Sequence, residues 1–189
     1  MPVALRKLET VYQGYMTLMK ATLAAEDGTV FTREIEHHGH GVAVLPYDPE
    51  RRTALVVSLP RAPVIWADGP PELLEAIAGM VDGEDAEACV RREALEEAGV
   101  ELHELEPVAS VFASPGVSSE RLQLYLAPYL ATDRIGSGGG LAEEHELITV
   151  MEVPLAQLWA WLEAQRIEDM KTLALILALK VRRPELFAG

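Results

Sequence analysis

The chain is short of cysteine and short of cations. Cys89 is the single cysteine among 189 residues. One thiol excludes an internal disulfide and fits a reducing compartment, so a cytoplasmic location is expected. Cys89 lies among helix-forming neighbours and reads as a small packed hydrophobe rather than a nucleophile. Sixteen Lys and Arg face thirty Asp and Glu, a formal net charge of −14. Such a field repels the phosphates of nucleic acids and anionic lipids, so neither nucleic acid nor membrane is an expected partner. Long apolar runs are missing too. The greasiest stretch, near Leu173 to Leu179, is far too short to span a bilayer, and the opening MPVALRKLET does not read as a secretory signal. No internal repeat is visible.

Apolar residues make up 49% of the chain, enough for a proper core. From Thr10 to His40 the pattern is of strands joined by turns, with Glu26-Asp27-Gly28 separating extended pieces at Tyr15 to Ala24 and Val30 to Glu36. Gly41 to Leu45 and Thr53 to Val57 read as buried strands, with a turn at Pro46 to Pro49. The proline-rich segment Pro60 to Pro71 predicts an irregular loop, and Trp66 within it is expected to pack. Glu84 to Ala98 predicts a helix with a small-residue face, Ala86, Val90, Ala94 and Ala98, ended by Gly99. Extended segments are predicted at Pro107 to Ala113, Leu122 to Leu126 and Leu147 to Val153, and Leu122 to Leu126 has half-buried alternation. Gly136 to Gly140 predicts a flexible loop. Two helices follow, Leu155 to Gln165 and Asp169 to Arg182. Strands and helices interleave, which predicts an α/β layer fold.

Within Arg92 to Val100, REALEEAGV, three glutamates fall in five residues, at Glu93, Glu96 and Glu97. On a helix, Glu93 and Glu97 share a face and Glu96 sits beside both, so the three repel one another. They also crowd the C-terminal turns, where the helix dipole prefers cations. A solvated face relieved by Arg91 and Arg92 is one explanation. A divalent cation is the other: Mg²⁺ takes oxygen ligands and binds through carboxylates together with substrate phosphates, and local rules are broken where function requires it.

The full stretch Gly79 to Val100, GMVDGEDAEACVRREALEEAGV, resembles the Nudix box, G-x5-E-x7-R-E-U-x-E-E-x-G-U, where U is a bulky apolar residue. Arg92, Glu93, Ala94, Glu96, Glu97, Gly99 and Val100 fall on its second half. The stretch is one residue short, so either Glu84 or Asp85 takes the first acidic position. The resemblance runs from about Val11 onward and is to the branch that cleaves ADP-ribose and other nucleoside diphosphate sugars. Ser114-Pro115-Gly116 with Glu120 resembles its loop after the box. Gly138 to Glu146 resembles its glycine-rich acidic loop. Thr32 to Ile35 resembles its N-terminal substrate-binding strand, and the shortened box resembles the GDP-mannose-cleaving subgroup.

The resemblance implies an α/β/α sandwich with a mixed sheet, residues 39–189, and an N-terminal β-subdomain, residues 1–38, exchanged in a homodimer. It implies Mg²⁺, with Mn²⁺ able to replace it, held by the Ala78 carbonyl, Glu93, Glu97 and Glu146, with Glu96 a further ligand or an outer orienter. Glu144 is the implied general base, with Glu143 or Glu120 as the alternatives. Arg61 would bind the diphosphate, and Arg33 and Tyr15 the nucleoside end. Met80, Ser114, Pro115, Gly116 and Glu120 would line the pocket. Three departures bear on the substrate: Ser58 replaces an arginine, His37 a common glutamate and Leu147 an acid. Other readings are a Nudix hydrolase of GDP-mannose, dinucleoside polyphosphates, nucleoside triphosphates or coenzyme A, and a sensor that binds ADP-ribose without cutting it. His37, His38 and His40 read as structural rather than as a zinc site.

Overall fold

The computed structural model of the protein describes residues 2–141 and 147–188. The chain divides into two compact units, Met1–Gly41 with Ser110–Leu122, and Val42–Ala109 with Gln123–Gly189.

The first unit carries a three-stranded antiparallel sheet in the order β1-β2-β3, from β1 (Val3–Gln13), β2 (Thr17–Ala25) and β3 (Val30–His37). The β2–β3 turn forms where expected. The Asp27 carboxylate accepts from the Thr29 amide at 2.9 Å, and Gly28 takes φ +85°, a value glycine adopts freely. The long β1, which begins well before the expected start at Thr10, is exposed along its whole length.

The second unit is built on β4 (Gly41–Asp48), β5 (Thr53–Leu59), β6 (Leu73–Glu75), β7 (Ile77–Met80), β8 (Glu106–Phe112), β9 (Arg121–Pro128) and β10 (Thr149–Pro154). The sheet order is β10-β5-β4-β9-β8, with β6 paired to β5 and β7 to β4. All eight residues of β4 are buried, which requires cover on both faces of the sheet. One face is closed by α2 (Ala86–Ala98): its Cys89, Val90, Ala94 and Ala98 pack in one core with Val42, Val44, Leu55 and Val57. The alternate residues Ala43, Leu45, Ala54 and Val56 are equally buried and point the other way. Buried side chains of α3 (Leu155–Glu163) and α4 (Met170–Arg182), among them Leu158, Leu175, Ile176 and Leu179, lie outside the α2 core. The architecture is α/β, as expected.

Four further local expectations differ from the structure. Pro60 to Pro71 holds a five-residue helix, α1 (Ala62–Trp66), with proline in its first turn, where a missing N–H costs nothing. Trp66 on α1 is 87% exposed rather than packed. Strand β4 runs past Pro46 to Asp48, and its ladder to β5 pairs Tyr47 and Asp48, just beyond the proline that has no N–H to give. Leu124 to Ala127 of β9 are all buried, so that strand is covered on both faces rather than one.

Candidate active site

Helix α2 begins and ends on specific side chains. The Asp85 carboxylate caps it, accepting from the amides of Glu87 and Ala88 at 3.0 Å each. Asp85 is therefore the cap, and Glu84 is the acid that reaches the second half of the box: its Oε1 accepts from Arg92 Nη2 at 2.7 Å. Gly99 closes the helix at φ +64°, donating to the Leu95 carbonyl at 3.0 Å.

The clustered glutamates are not simply solvated. Glu97 is 4% exposed, and its Oε2 accepts from the Ala78 amide at 3.2 Å. Glu93 lies over Gly79: a Cβ built on that glycine would stand 2.0 Å from Glu93 Oε1. Two carboxylates from one face of α2 thus meet adjacent backbone units of β7. Arg92 offsets their repulsion. Its Nη1 lies 2.9 Å from Glu93 and 2.8 Å from Glu96 while its other nitrogens hold Glu84. The hydrogen bond to Glu84 and the charges of Glu93 and Glu96 hold the Arg92 pKa well above the usual arginine range. Arg91 instead donates to the Leu102 carbonyl. Cys89 donates its thiol to the Met80 carbonyl at 3.3 Å, and burial, with the charges of Glu84 and Glu93, pushes its pKa up to about 12.

The glycine-rich loop is held rather than loose. Ile135 and Gly136 donate to the Gly99 carbonyl at 2.9 and 3.0 Å, Gly139 to Glu97 at 2.8 Å, and Gly140 to Glu96 at 3.1 Å. These amides satisfy carbonyls that a helix C-terminus leaves without partners. The loop therefore docks on the turn that carries the glutamates. Glu144 and Glu146, named from the sequence as base and metal ligand, lie outside the described residues, as does Glu143.

Arg61 precedes α1, and Glu75, 2% exposed at the end of β6, grips it in a fork: Nε to Oε1 at 2.7 Å and Nη2 to Oε2 at 3.0 Å. Burial opposes the charge on Glu75, but Arg61 and Lys171 outweigh it and hold its pKa below the ordinary 4.5. Lys171, on α4, contacts Glu75 Oε2 and lies 3.0 Å from Asp169. Sequence reading missed Glu75, Lys171 and Asp169. A signal was present: one acid inside the apolar run LLEAIAG has to find a partner, and Asp169 stands at a helix start.

The remaining sequence-predicted residues belong to the first unit. Tyr15 is 85% exposed and stacks on the His38 ring, centroids 6.2 Å apart. Arg33 donates to the Thr32 carbonyl at 2.8 Å and lies over the Phe31 ring. It lines a groove of about 460 Å³ with Val11, Lys20, Thr32 and Glu34. Ser114, Pro115 and Gly116 form an exposed turn: the Ser114 carbonyl accepts from the amides of Val117 and Ser118, and open space lies above Gly116. Val117 and Ser119 bond the backbone of Glu36, which ties this turn to β3. His38 contacts Glu36 through Nδ1, and its Nε2 lies 3.5 Å from Glu120. His37 bonds Ser119, and His40 Nδ1 accepts from the Arg121 amide.

The Glu93 and Glu97 carboxylates at the α2–β7 contact are hard oxygen donors of the type Mg²⁺ takes. Glu93 seated on a side-chain-free residue, beside a buried Glu97, fits such an ion.

The chain is similar to known proteins along most of its length. A model of the NUDIX domain matches residues 37–174. The chain belongs to the NUDIX family. It is 33% identical over 186 residues to the GDP-mannose pyrophosphatase of Cronobacter sakazakii, covering 95% of this chain and 96% of that one. It is 32% identical to the Citrobacter koseri protein of the same name and 31% to the Escherichia coli one, each over 180 residues, 92% of this chain and 93% of the relative. Among solved structures, an ADP compounds hydrolase superposes with a TM-score of 0.78 at 16% identity, covering 98% of this chain and 96% of that one. That likeness is one of fold. The resemblance of the Gly79 to Val100 box is thus that of a true family member.

Proposed function

We propose that this NUDIX-family chain is a Mg²⁺-dependent hydrolase of the pyrophosphate bond in nucleoside diphosphate sugars such as ADP-ribose and GDP-mannose. The observation that carries this reading is the meeting of Glu93 and Glu97 with the Ala78–Gly79 backbone. Bound there, the ion would neutralise the phosphates and lower the pKa of water.

The Ala78 carbonyl, Glu93 and Glu97 would hold the ion, with Glu96 beside them and Glu146 completing the set. Glu144 would take the proton of the attacking water. Water oxygen bonds to one phosphorus as the bond from that phosphorus to the bridging oxygen breaks, so a nucleoside monophosphate and a sugar phosphate leave. Arg61 would pair with the diphosphate. Arg33 and Tyr15 would meet the nucleoside, with Met80, Ser114, Pro115, Gly116 and Glu120 around the sugar and phosphates.

Residues 1–38 would form a subdomain exchanged between two copies of the chain, and residues 39–189 the hydrolase domain. The apolar side chains of β1, Val3, Leu5, Leu8 and Val11, are about half exposed or more on an edge strand, and such an edge calls for cover. No helix among the described residues is long and apolar enough to cross a membrane. The expected setting is the cytoplasm.

Three relatives named GDP-mannose pyrophosphatase, matched over nearly their whole length, favour GDP-mannose as the first sugar nucleotide to try. The test is a panel of nucleoside diphosphate sugars with and without Mg²⁺, reading released monophosphate, with Glu97→Gln as control. Mg²⁺-dependent release that the variant abolishes is expected. Equal rates in the variant, or no release from any sugar nucleotide, would overturn the reading.

A further inference from the structure

The function proposed above gives no task to His37, His38 and His40, yet each reaches one residue of the segment that follows the Ser114 turn. His37 Nδ1 lies 2.8 Å from Ser119 Oγ, His38 Nε2 lies 3.5 Å from Glu120 Oε1, and His40 Nδ1 accepts from the Arg121 amide at 3.2 Å. The backbone is joined at the same place: Glu36 donates to the Val117 carbonyl at 2.8 Å and accepts from the Ser119 amide at 3.0 Å. The end of β3 therefore sets where Glu120 stands.

His38 is the member that meets charge. Both its ring nitrogens face carboxylates, Glu36 at Nδ1 and Glu120 at Nε2. A neutral imidazole has one N–H and would turn a lone pair on one of the two acids; the imidazolium donates at both nitrogens and suits both. The three side chains are 17 to 19% exposed, so salt and water screen them little. Tyr15, from the β1–β2 turn, stacks on the ring with centroids 6.2 Å apart. Of the other titratable groups nearby, His37 bonds Ser119 and the Arg121 guanidinium bonds Ser110. One ring thus touches two groups read above as substrate contacts, Tyr15 for the nucleoside and Glu120 for the sugar and phosphates.

We propose that His38 is a positioning residue for substrate binding, which as an imidazolium holds Glu120 at its Nε2 edge and Tyr15 on its face. The inference rests on the sugar-nucleotide reading above and adds a requirement to it. The cation fixes Glu120 and offsets a negative charge in the pocket proposed for the phosphates, in a chain whose net charge is −14. Loss of the proton releases Glu120, the longer of the two contacts, and leaves it to repel a diphosphate. Burial disfavours the charge, but Glu36 and Glu120 outweigh burial and raise the pKa above the ordinary 6.5, so the release belongs to higher pH.

The test is KM and kcat for GDP-mannose, or for whichever sugar nucleotide the panel favours, with Mg²⁺ from pH 6 to pH 9. At pH 6 His38→Gln should raise KM about tenfold, the scale of one charge-assisted hydrogen bond, and leave kcat within about twofold. The ratio of variant to wild-type KM should fall toward one as pH approaches 9. In a Glu120→Gln background the same His38 change should alter KM less than about twofold, a coupling that two independent defects would not produce. Should His38→Gln not fold, Glu120→Gln removes the pair from the other side and should flatten the rise of KM with pH. A KM ratio that is the same at pH 6 and pH 9, a loss confined to kcat, additive effects in the double variant, or an unflattened profile in Glu120→Gln overturns this inference alone. Wild-type protein that releases no monophosphate from any sugar nucleotide overturns the functional reading and this inference with it.

Discussion

The Glu93 carboxylate occupies the space that a side chain on Gly79 would need: Oε1, Cδ and Cγ of Glu93 lie 2.0, 2.1 and 2.4 Å from the position of a Cβ there. The first glycine of the box is therefore a seat for the first glutamate of REALEEAGV, fourteen residues later. The seat also explains why three acids can share one helical turn. Glu93 is drawn onto β7, Glu97 onto the neighbouring amide, and Arg92 neutralises what remains.

Gly79→Ala should accordingly spare the fold and damage the site. Glu93 is a flexible side chain and can move aside, so the melting temperature should fall by only a few degrees. Displacing a ligand of the proposed ion should lower kcat about a hundredfold and raise the Mg²⁺ concentration needed for half-maximal rate. Thermal melts and Mg²⁺ titrations of the rate check both halves. An unchanged kcat would mean that Glu93 needs no fixed position.

Gly138→Ala should behave in the opposite way. A Cβ there would lie 2.3 Å from the Glu97 carbonyl oxygen and 2.6 Å from the Ala98 Cα, and Gly138 has φ +66°. Neither obstacle is a movable side chain. The loop must lift off α2 and lose its bonds to Glu96 and Glu97, a cost of about 3 kcal/mol. Chemical denaturation read by circular dichroism measures it. A loss below about 0.5 kcal/mol, no more than a neutral surface change, would show that the loop does not brace the helix.

Much of this was legible in the residues themselves, and the exceptions share a cause. Alternation and turn chemistry place β2, β3 and β5 within two residues. The four-residue spacing of Ala86, Val90, Ala94 and Ala98 reads as the core face that α2 presents. Even the split between Glu84 and Asp85 needed only the cap geometry. What the residues did not reveal depends on partners far away in sequence. The glycine run reads as flexible because its hydrogen-bond acceptors are about forty residues upstream, at Glu96, Glu97 and Gly99. Glu75 and Lys171, 96 positions apart, give no local sign that they meet. The short β6 and β7 carry too few residues to set a period, and β1 lacks an alternation because all of it is exposed.

Cys89 should resist thiol reagents in the folded protein. The thiolate is the reactive form. With the pKa pushed up to about 12 and the side chain fully buried, little thiolate exists or is reachable at neutral pH. Iodoacetamide at pH 8 should leave the native chain unmodified by mass spectrometry and alkylate it fully in guanidinium. Rapid native labelling would place Cys89 at the surface.

His38 gives the first unit a pH dependence of opposite sign to that of a paired carboxylate. Burial disfavours its charge, but the hydrogen bond and charge of Glu36 and the charge of Glu120 outweigh burial, and its pKa rises above the ordinary 6.5. Tyr15 stacks on the ring, and His37 nearby bonds Ser119. A group whose pKa is raised by folding stabilises fully below its unfolded value and loses that contribution as pH rises through the folded one. Protonated His38 joins β3 to the 114–120 turn through Glu36 and Glu120. His38→Gln should therefore lower the melting temperature at pH 6 by roughly 3 °C, equivalent to about 1 kcal/mol for a chain of this length. The gap should close as pH rises toward 9, where wild type has lost the charge too. A gap that stays constant from pH 6 to 9 would mean that the imidazole acts by packing on Tyr15 rather than by its proton.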